Sequence, residues 1–265
     1  MKKVCRILQT RKGGMSMPFL FLSPSTQTYN LYATTGNEQY WMNRLADAME
    51  PYLRANAINF TRNNPNGSAA QSIRDSNAGA YDFHLALHSN ASPAATAGRM
   101  RGIDIYYYPG SADGLRMANI IVDNLKYLYP LPDRVRALPS TVIGEVRRTN
   151  APSVLAELGY HDNPEDEVWL TQNLDAIARA LVQSLTEYFG TPYLGFEDPR
   201  EGSVCLDSGV LNLRNLPETD SAILAQIPNG ESITIYGEFD NWYTIGYNGL
   251  LGFVRSEYIC TRSPR

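Results

Sequence analysis

Residues 190–201, GTPYLGFEDPRE, separate two stretches of chain whose hydrophobic patterns have different periods. Before them, short apolar runs alternate with segments in which apolar residues recur every three or four positions. After them no segment has the helical spacing, and brief apolar–polar alternations are broken by turn residues. Side chains repeat with period 3.6 on a helix and 2 on a strand, so the change predicts two differently built domains. Pro, Gly and charge over residues 191–201 mark the linker. The expected division is an N-terminal extension over residues 1–16, a first domain over 17–190 and a second over 202–261.

In the first domain PFLFL, NAINFTRN, FHLALH, GIDIYYYP and SVLAELGY read as strands. Trp41, Leu45, Ala48, Met49 and Tyr52 mark a helix that Asn37 can cap. SAAQSIRDSNAG, ending near Gly79, and ADGLRMANIIVDNLKYLY read as two more helices, and DEVWLTQNLDAIARALVQSLTEYF as one long closing helix. Strands alternating with helices predict an α/β fold with a twisted, mostly parallel sheet sandwiched by helices. The second domain, with several short strands and no helix, predicts a small all-β barrel or sandwich.

A formal net charge of −4 argues against sequence-independent nucleic-acid binding, which needs a basic surface. The longest apolar runs are far short of a membrane span, so no membrane insertion is expected. The start MKKVCRILQTRKGG is basic, with no apolar stretch after it, and does not read as a Sec-type signal. The expectation is a monomer made in the cytoplasm that reaches the outside by another route. Cys5, Cys205 and Cys260 form no zinc pattern. A Cys205–Cys260 disulfide is conceivable, but two reduced, half-buried thiols are the expectation for three scattered cysteines.

Sites in open α/β sheets collect at the carboxyl ends of strands. SPSTQ, HSNA and ELGYHDN lie at such ends, and Glu38 opens the first long helix. Together they offer Glu38, His88, Glu157, His161 and Asp162. Histidine with carboxylate suits Zn²⁺, and a further carboxylate can act as general base. Each residue also has a plainer reading: Glu38 stabilising a helix N-terminus, His161 capping a turn with Asp162 and Asn163. His84 and His88 stand four apart, which on a strand separates them by ~13 Å. His84 is therefore expected in the sheet interior, hydrogen-bonded and not a metal partner. Arg147 and Arg148 precede the ELGY strand and could meet a carboxylate. There is no GxSxG elbow, and the cysteines have no protease setting.

These stretches resemble the zinc-dependent N-acetylmuramoyl-L-alanine amidases of type 3. That family has a strand ending in DPGHGG, a Glu on the first helix, S-hydrophobic-H-x-N, and LVELGFxxN. The corresponding stretches here are LSPSTQ, GNEQY, LHSNA and LAELGYHDN. The resemblance implies cleavage of the amide between N-acetylmuramic acid and L-alanine of peptidoglycan. It implies zinc held by Glu38 and His88, with Glu157 as the catalytic glutamate. The first family histidine falls at Thr26, a poor zinc ligand. Its replacement is expected to be His161 first, Gln27 second and His84 last. VLNLRNLP and GEFDNWYTIGYNGLLGFVRSEYI resemble bacterial SH3-like cell-wall domains, which implies a wall-binding second domain. Asn90, Arg147 and Trp242 are the expected substrate contacts.

Overall fold

The computed structural model describes residues 17–195 and 197–261; the expected extension over residues 1–16 lies outside the described residues. The elements of the first part run β1 (Phe19–Pro24), α1 (Glu38–Ala55), β2 (Asn59–Arg62), α2 (Ala69–Ala78), β3 (Phe83–Asn90), β4 (Ile103–Tyr107), α3 (Ala112–Lys126), β5 (Val135–Pro139), α4 (Gly144–Arg147), β6 (Ser153–Tyr160), α5 (Pro164–Gln172) and α6 (Leu174–Phe189). They form a six-stranded sheet in the order β2-β1-β3-β6-β4-β5. β1 with β3, β3 with β6 and β4 with β5 are parallel, while β4 meets β6 antiparallel. The sheet is thus mostly parallel, as expected, with an antiparallel junction between β4 and β6.

The central strand β3 is buried along its length except at Asn90, so both of its faces are covered. This is the reason FHLALH reads as a continuous apolar run instead of an alternation. His84, Ala86 and His88 share one face. Ala86 packs there with Leu155 of β6, Val146 of α4, Tyr106 and Ile143. Local chemistry sets the helix starts. The Asn37 side chain accepts from the Tyr40 N–H, and Ser68 and Ser111 cap α2 and α3 in the same way.

The single long helix expected at the end of this domain is two helices, broken at Asn173. The Asn173 backbone N–H bonds Leu170 and its side chain bonds the Trp169 carbonyl, which ends α5 in the manner of a cap. Two short elements, β5 and α4, fall in stretches the sequence leaves without assignment.

The second part contains β7 (Arg200–Val204), β8 (Val210–Arg214), β9 (Ile223–Pro228), β10 (Ser232–Phe239), β11 (Trp242–Tyr247), β12 (Leu250–Arg255) and β13 (Ile259–Thr261). The seven strands lie in the order β13-β7-β10-β11-β12-β8-β9, each paired antiparallel with its neighbours. Val204, Leu211, Leu213, Ile227, Ile233, Ile235, Ile245 and Val254 form the core. Gly252 sits on a close backbone approach, where a Cβ would come within 2.8 Å of the Arg214 carbonyl oxygen. By compactness, Phe19–Glu50 and Phe60–Tyr188 form one unit, and Pro51–Asn59 groups with the chain from Phe189 onward.

Cys205 and Cys260 form a disulfide with a Cα–Cα distance of 5.7 Å, which corrects the expectation of two thiols. The cause is strand register: Cys260 pairs with Ser203 across β13 and β7, so the two cysteines meet at the strand ends. β13 is a three-residue edge strand, and the bond closes a loop of 55 residues. Replacing both cysteines by serine should destabilise this unit by about 2–5 kcal/mol. Urea unfolding of the double variant, beside the parent with and without reductant, measures this; three coincident midpoints would contradict it.

Candidate functional site

Because β1, β3 and β6 run parallel, their carboxyl ends lie at one edge of the sheet. His88 pairs with Glu157 across β3 and β6, and Glu157 pairs with Asp104 on β4, so the three side chains share a face. Between His88 and Asn90 the register slips by one residue against β6. Gly159 lies in that bulge at φ +94°, a conformation that glycine alone adopts at little cost. The bulge carries the chain on to His161, whose N–H bonds the Asn90 carbonyl.

Glu38, at the first turn of α1, reaches back over this edge. Its Oε1 lies 2.7 Å from His88 Nδ1. Its Oε2 accepts from Asn30 Nδ2 at 2.5 Å, and the Ser89 N–H points at Oε1. The SPSTQTYN stretch makes this possible by folding as turns. Ser25 Oγ accepts from the Gln27 N–H, and the Glu38 N–H bonds the Asn30 carbonyl. Gln27 then presents its Nε2 to His88 Nδ1 at 3.3 Å, while its Oε1 accepts from Tyr29 Oη and Asn30 Nδ2.

The other nitrogen of His88 meets a residue that the sequence reading missed. Glu145, on the four-residue helix α4, places Oε2 3.4 Å from His88 Nε2 and Oε1 3.2 Å from His84 Nε2. Ser23 Oγ donates to Oε1 at 2.6 Å, and His84 Nδ1 lies 3.0 Å from Ser76 Oγ on α2. His84 is fully buried and hydrogen-bonded, as expected, but it is coupled to His88 through one shared carboxylate. The signal in the sequence was the pair of histidines on one face of a buried strand. Two such rings need a polar partner, and α4 supplies it.

The charges follow from this packing. Burial would favour the neutral form of Glu145, yet hydrogen bonds and charge from His84 and His88 hold its carboxyl far below the usual range. Glu38 is likewise lowered against the effect of burial, by His88 and Asn30. Burial opposes the charged form of His88 too, but Glu145 and Glu38 raise it well above its ordinary value. Glu157 moves the opposite way. Burial pushes it up to about 7; His88 offsets part of that, while Glu38, Asp104 and Glu145 add to it. Some of the residue is accessible, but Oε2 is buried with no hydrogen-bond partner.

The remaining sequence-predicted residues are placed as follows. The buried His161 stacks on Tyr32 at 5.5 Å, and its Nδ1 faces the Ser89 carbonyl at 2.9 Å and the Ser89 hydroxyl at 3.1 Å. It is joined to Glu38 only through Ser89, whereas Gln27 touches His88 directly. Asp162 accepts from Ser92 and from the Gly98 N–H, so it fixes that loop rather than the imidazole. Asn90 Oδ1 accepts from the Ala91 N–H, and Arg147 is exposed on α4. Trp242 is 6% exposed and packs with Met17, Ala57, Leu194 and Phe253. A cavity of about 330 Å³ opens beside the site, lined among others by Ser25, Thr26, Gln27, Ser72, His88 and Glu145.

Glu38 and His88 are both buried, and Glu38 Oε1 faces His88 Nδ1 at the distance of a direct hydrogen bond. Among the described residues no set of three His, Cys, Asp or Glu side chains is placed to hold a metal. His161 spends Nδ1 on Ser89, and Gln27 presents an N–H to His88.

Residues 28–187 match the family profile described as N-acetylmuramoyl-L-alanine amidase, and residues 209–259 match that of the bacterial SH3 domain. The first match begins just after Thr26 and Gln27. The chain is similar to a probable cell wall amidase, LytH, of Staphylococcus saprophyticus, with 27% identity over 110 residues, 41% of this chain and 35% of that protein. The LytH of Staphylococcus epidermidis is 26% identical over 42% of this chain and 36% of its own length. The chain thus spans about a third of the length of these curated relatives. Among solved structures, the catalytic domain of the amidase CwlV from Bacillus (Paenibacillus) polymyxa aligns with TM-score 0.55 and 18% identity, over 65% of this chain and 98% of that one. The catalytic domain of the CD27L endolysin, which targets Clostridia difficile, aligns with TM-score 0.53 and 21% identity, over 65% and 98%. At these identities the likeness to the structures is one of fold.

The raised carboxyl of Glu157 has a consequence for stability. The folded protein binds this proton more tightly than the unfolded chain, so the residue costs stability as pH rises from about 4.5 through 7. Glu157→Gln should match the parent at pH 4 and exceed it by about 1–3 kcal/mol at pH 8 in metal-free protein. Urea unfolding across that range tests this; a pH-independent difference would rule it out.

Proposed function

Because the chain belongs to the N-acetylmuramoyl-L-alanine amidase family, we propose that it hydrolyses the amide joining N-acetylmuramic acid to L-alanine of the peptidoglycan stem. The observation that carries the reading is the buried, unpartnered Glu157 Oε2, level with His88 and with its carboxyl at about 7. A carboxylate near neutrality can take a proton from water and return it. In this role Glu157 would accept the proton of the attacking water and pass it to the leaving amine of L-alanine. Zinc would be held by Glu38 and His88, with Gln27 and His161 as the candidates for a third place, and when bound it supplies a Lewis acid. Glu38 Oε1 faces His88 Nδ1 and accepts from the Ser89 N–H, and Tyr32 stacks on His161 and donates to the Ser89 hydroxyl. Asn90 and Arg147 would contact the stem peptide.

Glu157→Gln should lower turnover on purified wall by about 10²–10⁴-fold while leaving the fold intact. Release of new L-alanine amino termini measures it, with and without chelator. Parent-like activity in the variant would remove Glu157 from the mechanism. The incomplete donor set also favours a second reading, a wall-binding protein without turnover. Digests by the parent that release no new termini would select that reading. New termini inside the stem peptide would instead indicate a peptidase.

The second unit is proposed to tether the protein to the wall. Residues 202–261 carry seven acids and two bases, a net −5, which disfavours polyanionic wall polymers as its ligand. Both bases, Arg214 and Arg255, line a single groove of about 730 Å³ together with Asp207, Asn212, Trp242 and Tyr258. The Arg255 guanidinium lies 5.0 Å from the centre of the Trp242 ring. A groove with both signs of charge suits a wall peptide that bears an amine and a carboxylate. Arg255→Glu should reduce co-sedimentation with purified walls and spare cleavage of soluble muramoyl peptides. Undiminished sedimentation would place the contact elsewhere.

A further inference from the structure

Tyr160 follows Glu157 by three on β6, and on an unbroken strand it would project from the opposite face, because successive side chains alternate. The bulge at Gly159 changes that. His88 pairs with Glu157, and Asn90, two residues on, pairs with Tyr160, so one extra residue on β6 returns Tyr160 to the face of Glu157. The register continues that face across the sheet: Glu157 pairs with Asp104 on β4, and Asp104 with Arg136 on β5. Tyr106, two residues beyond Asp104, shares it as well. Asp104 is buried, and its Oδ1 accepts from both Nε and Nη2 of Arg136, which holds the guanidinium in place. The third nitrogen, Nη1, has no partner among the described residues, and the Arg136 side chain is 49% exposed. The Tyr106 and Tyr160 hydroxyls have none either, although Tyr160 is only 5% exposed. Neither oxygen is sealed from solvent.

The unused groups are of one kind: a guanidinium N–H and two phenols, all donors at neutral pH. Donors of this kind suit an acceptor with two oxygens and a negative charge. We infer that Arg136 and Tyr160, with Tyr106 beside them, form a specificity subsite for a carboxylate carried by the second residue of the stem peptide. This rests on the reading of Glu157 as the group at the amide between N-acetylmuramic acid and L-alanine. Distances along the sheet and along the substrate agree. Two strand spacings, about 10 Å, separate the backbones of Glu157 and Arg136. An extended peptide advances about 3.5 Å per residue, so a carboxylate on the second residue lies ~7 Å beyond that amide, and the arginine side chain spans the difference. Asp104 fixes the guanidinium while occupying only two of its nitrogens. The amidase pattern LVELGFxxN has phenylalanine where this chain has Tyr160, so the hydroxyl is a departure of this chain and a phenyl ring fits the position.

The test uses the full chain and two peptides, N-acetylmuramoyl-L-alanyl-D-glutamate and its α-amide, which differ only at that carboxylate. The parent should cleave the acid with kcat/KM about 10–100-fold above the amide. In Arg136→Gln this preference should fall toward one. In Tyr160→Phe, which keeps the Arg136–Asp104 pair and serves if Arg136→Gln does not fold, it should fall several-fold. A purely structural role would lower both peptides alike and leave the ratio unchanged, and that result overturns the inference. Equal cleavage of both peptides by the parent overturns it too. If the parent cleaves neither, the amidase reading fails, and calorimetric affinity for the uncut peptides decides the subsite. The same preference, lost in the variants, upholds it; equal or absent binding overturns it.

Discussion

The structure depends on β3 being hydrogen-bonded on both edges and covered on both faces. A strand in that position has no access to water, so each polar side chain on it must find its partner inside the protein. Phe83, Leu85 and Leu87 satisfy the rule trivially on one face. On the other, His84 and His88 oblige the surroundings to supply Ser76, Glu145 and Glu38 as partners, and Ser89, at the strand end, bonds His161. Helices α2 and α4 are short, and α4 is a single turn, yet they cover the polar face because they carry these partners. The site is thus the place where the central strand's polar requirement and the open edge of the sheet coincide.

Much of this was legible in the sequence, and the residues show why. PFLFL, FHLALH and SVLAELGY are apolar runs bounded by turn signals, so their pairing as central strands follows from composition. Glu38 and His88 were readable because one opens a helix and the other ends a strand, positions that point to a common edge. Glu145 was not readable. Its helix is too short to leave a periodic trace, and its partners lie 57 and 61 residues away in sequence. The disulfide was hidden for a related reason: Cys205 and Cys260 meet only through the register of a three-residue edge strand. The break at Asn173 interrupts an unbroken apolar period, and only a side chain bonding the carbonyl four residues back reveals it. Where local pattern decides the structure the reading succeeds; where a long-range polar contact decides it, the pattern carries no trace.

The charge arrangement explains why the residues of one site behave so differently. His88 lies between two carboxylates that are each lowered by it, so Glu38 and Glu145 keep their charge in a buried place. Glu157 faces the same imidazole across the strand pair without a direct hydrogen bond to it, and it lies within the field of three other carboxylates. One positive ring cannot compensate four negative groups. The two that touch the ring stay ionised, Asp104 takes Arg136 as its own partner at 2.7 Å, and the remaining group, Glu157, is pushed toward neutrality. One environment is thus divided into strongly ionised carboxyls and one that titrates near neutrality.

That division also bears on the departure at Thr26. A histidine at Thr26 would add another imidazole to this edge, and Glu157 would experience more positive charge. Here β1 ends instead in hydroxyl and amide groups, Ser25, Thr26 and Gln27, which supply hydrogen bonds and no charge. On the other side of His88, the Glu145 carboxylate joins it to His84 behind the ring. The second histidine on that carboxylate lies on the same strand as His88, four residues earlier and on the same face. The FHLALH run therefore supplies both the histidine at the strand end and the one that shares its carboxylate, Glu145.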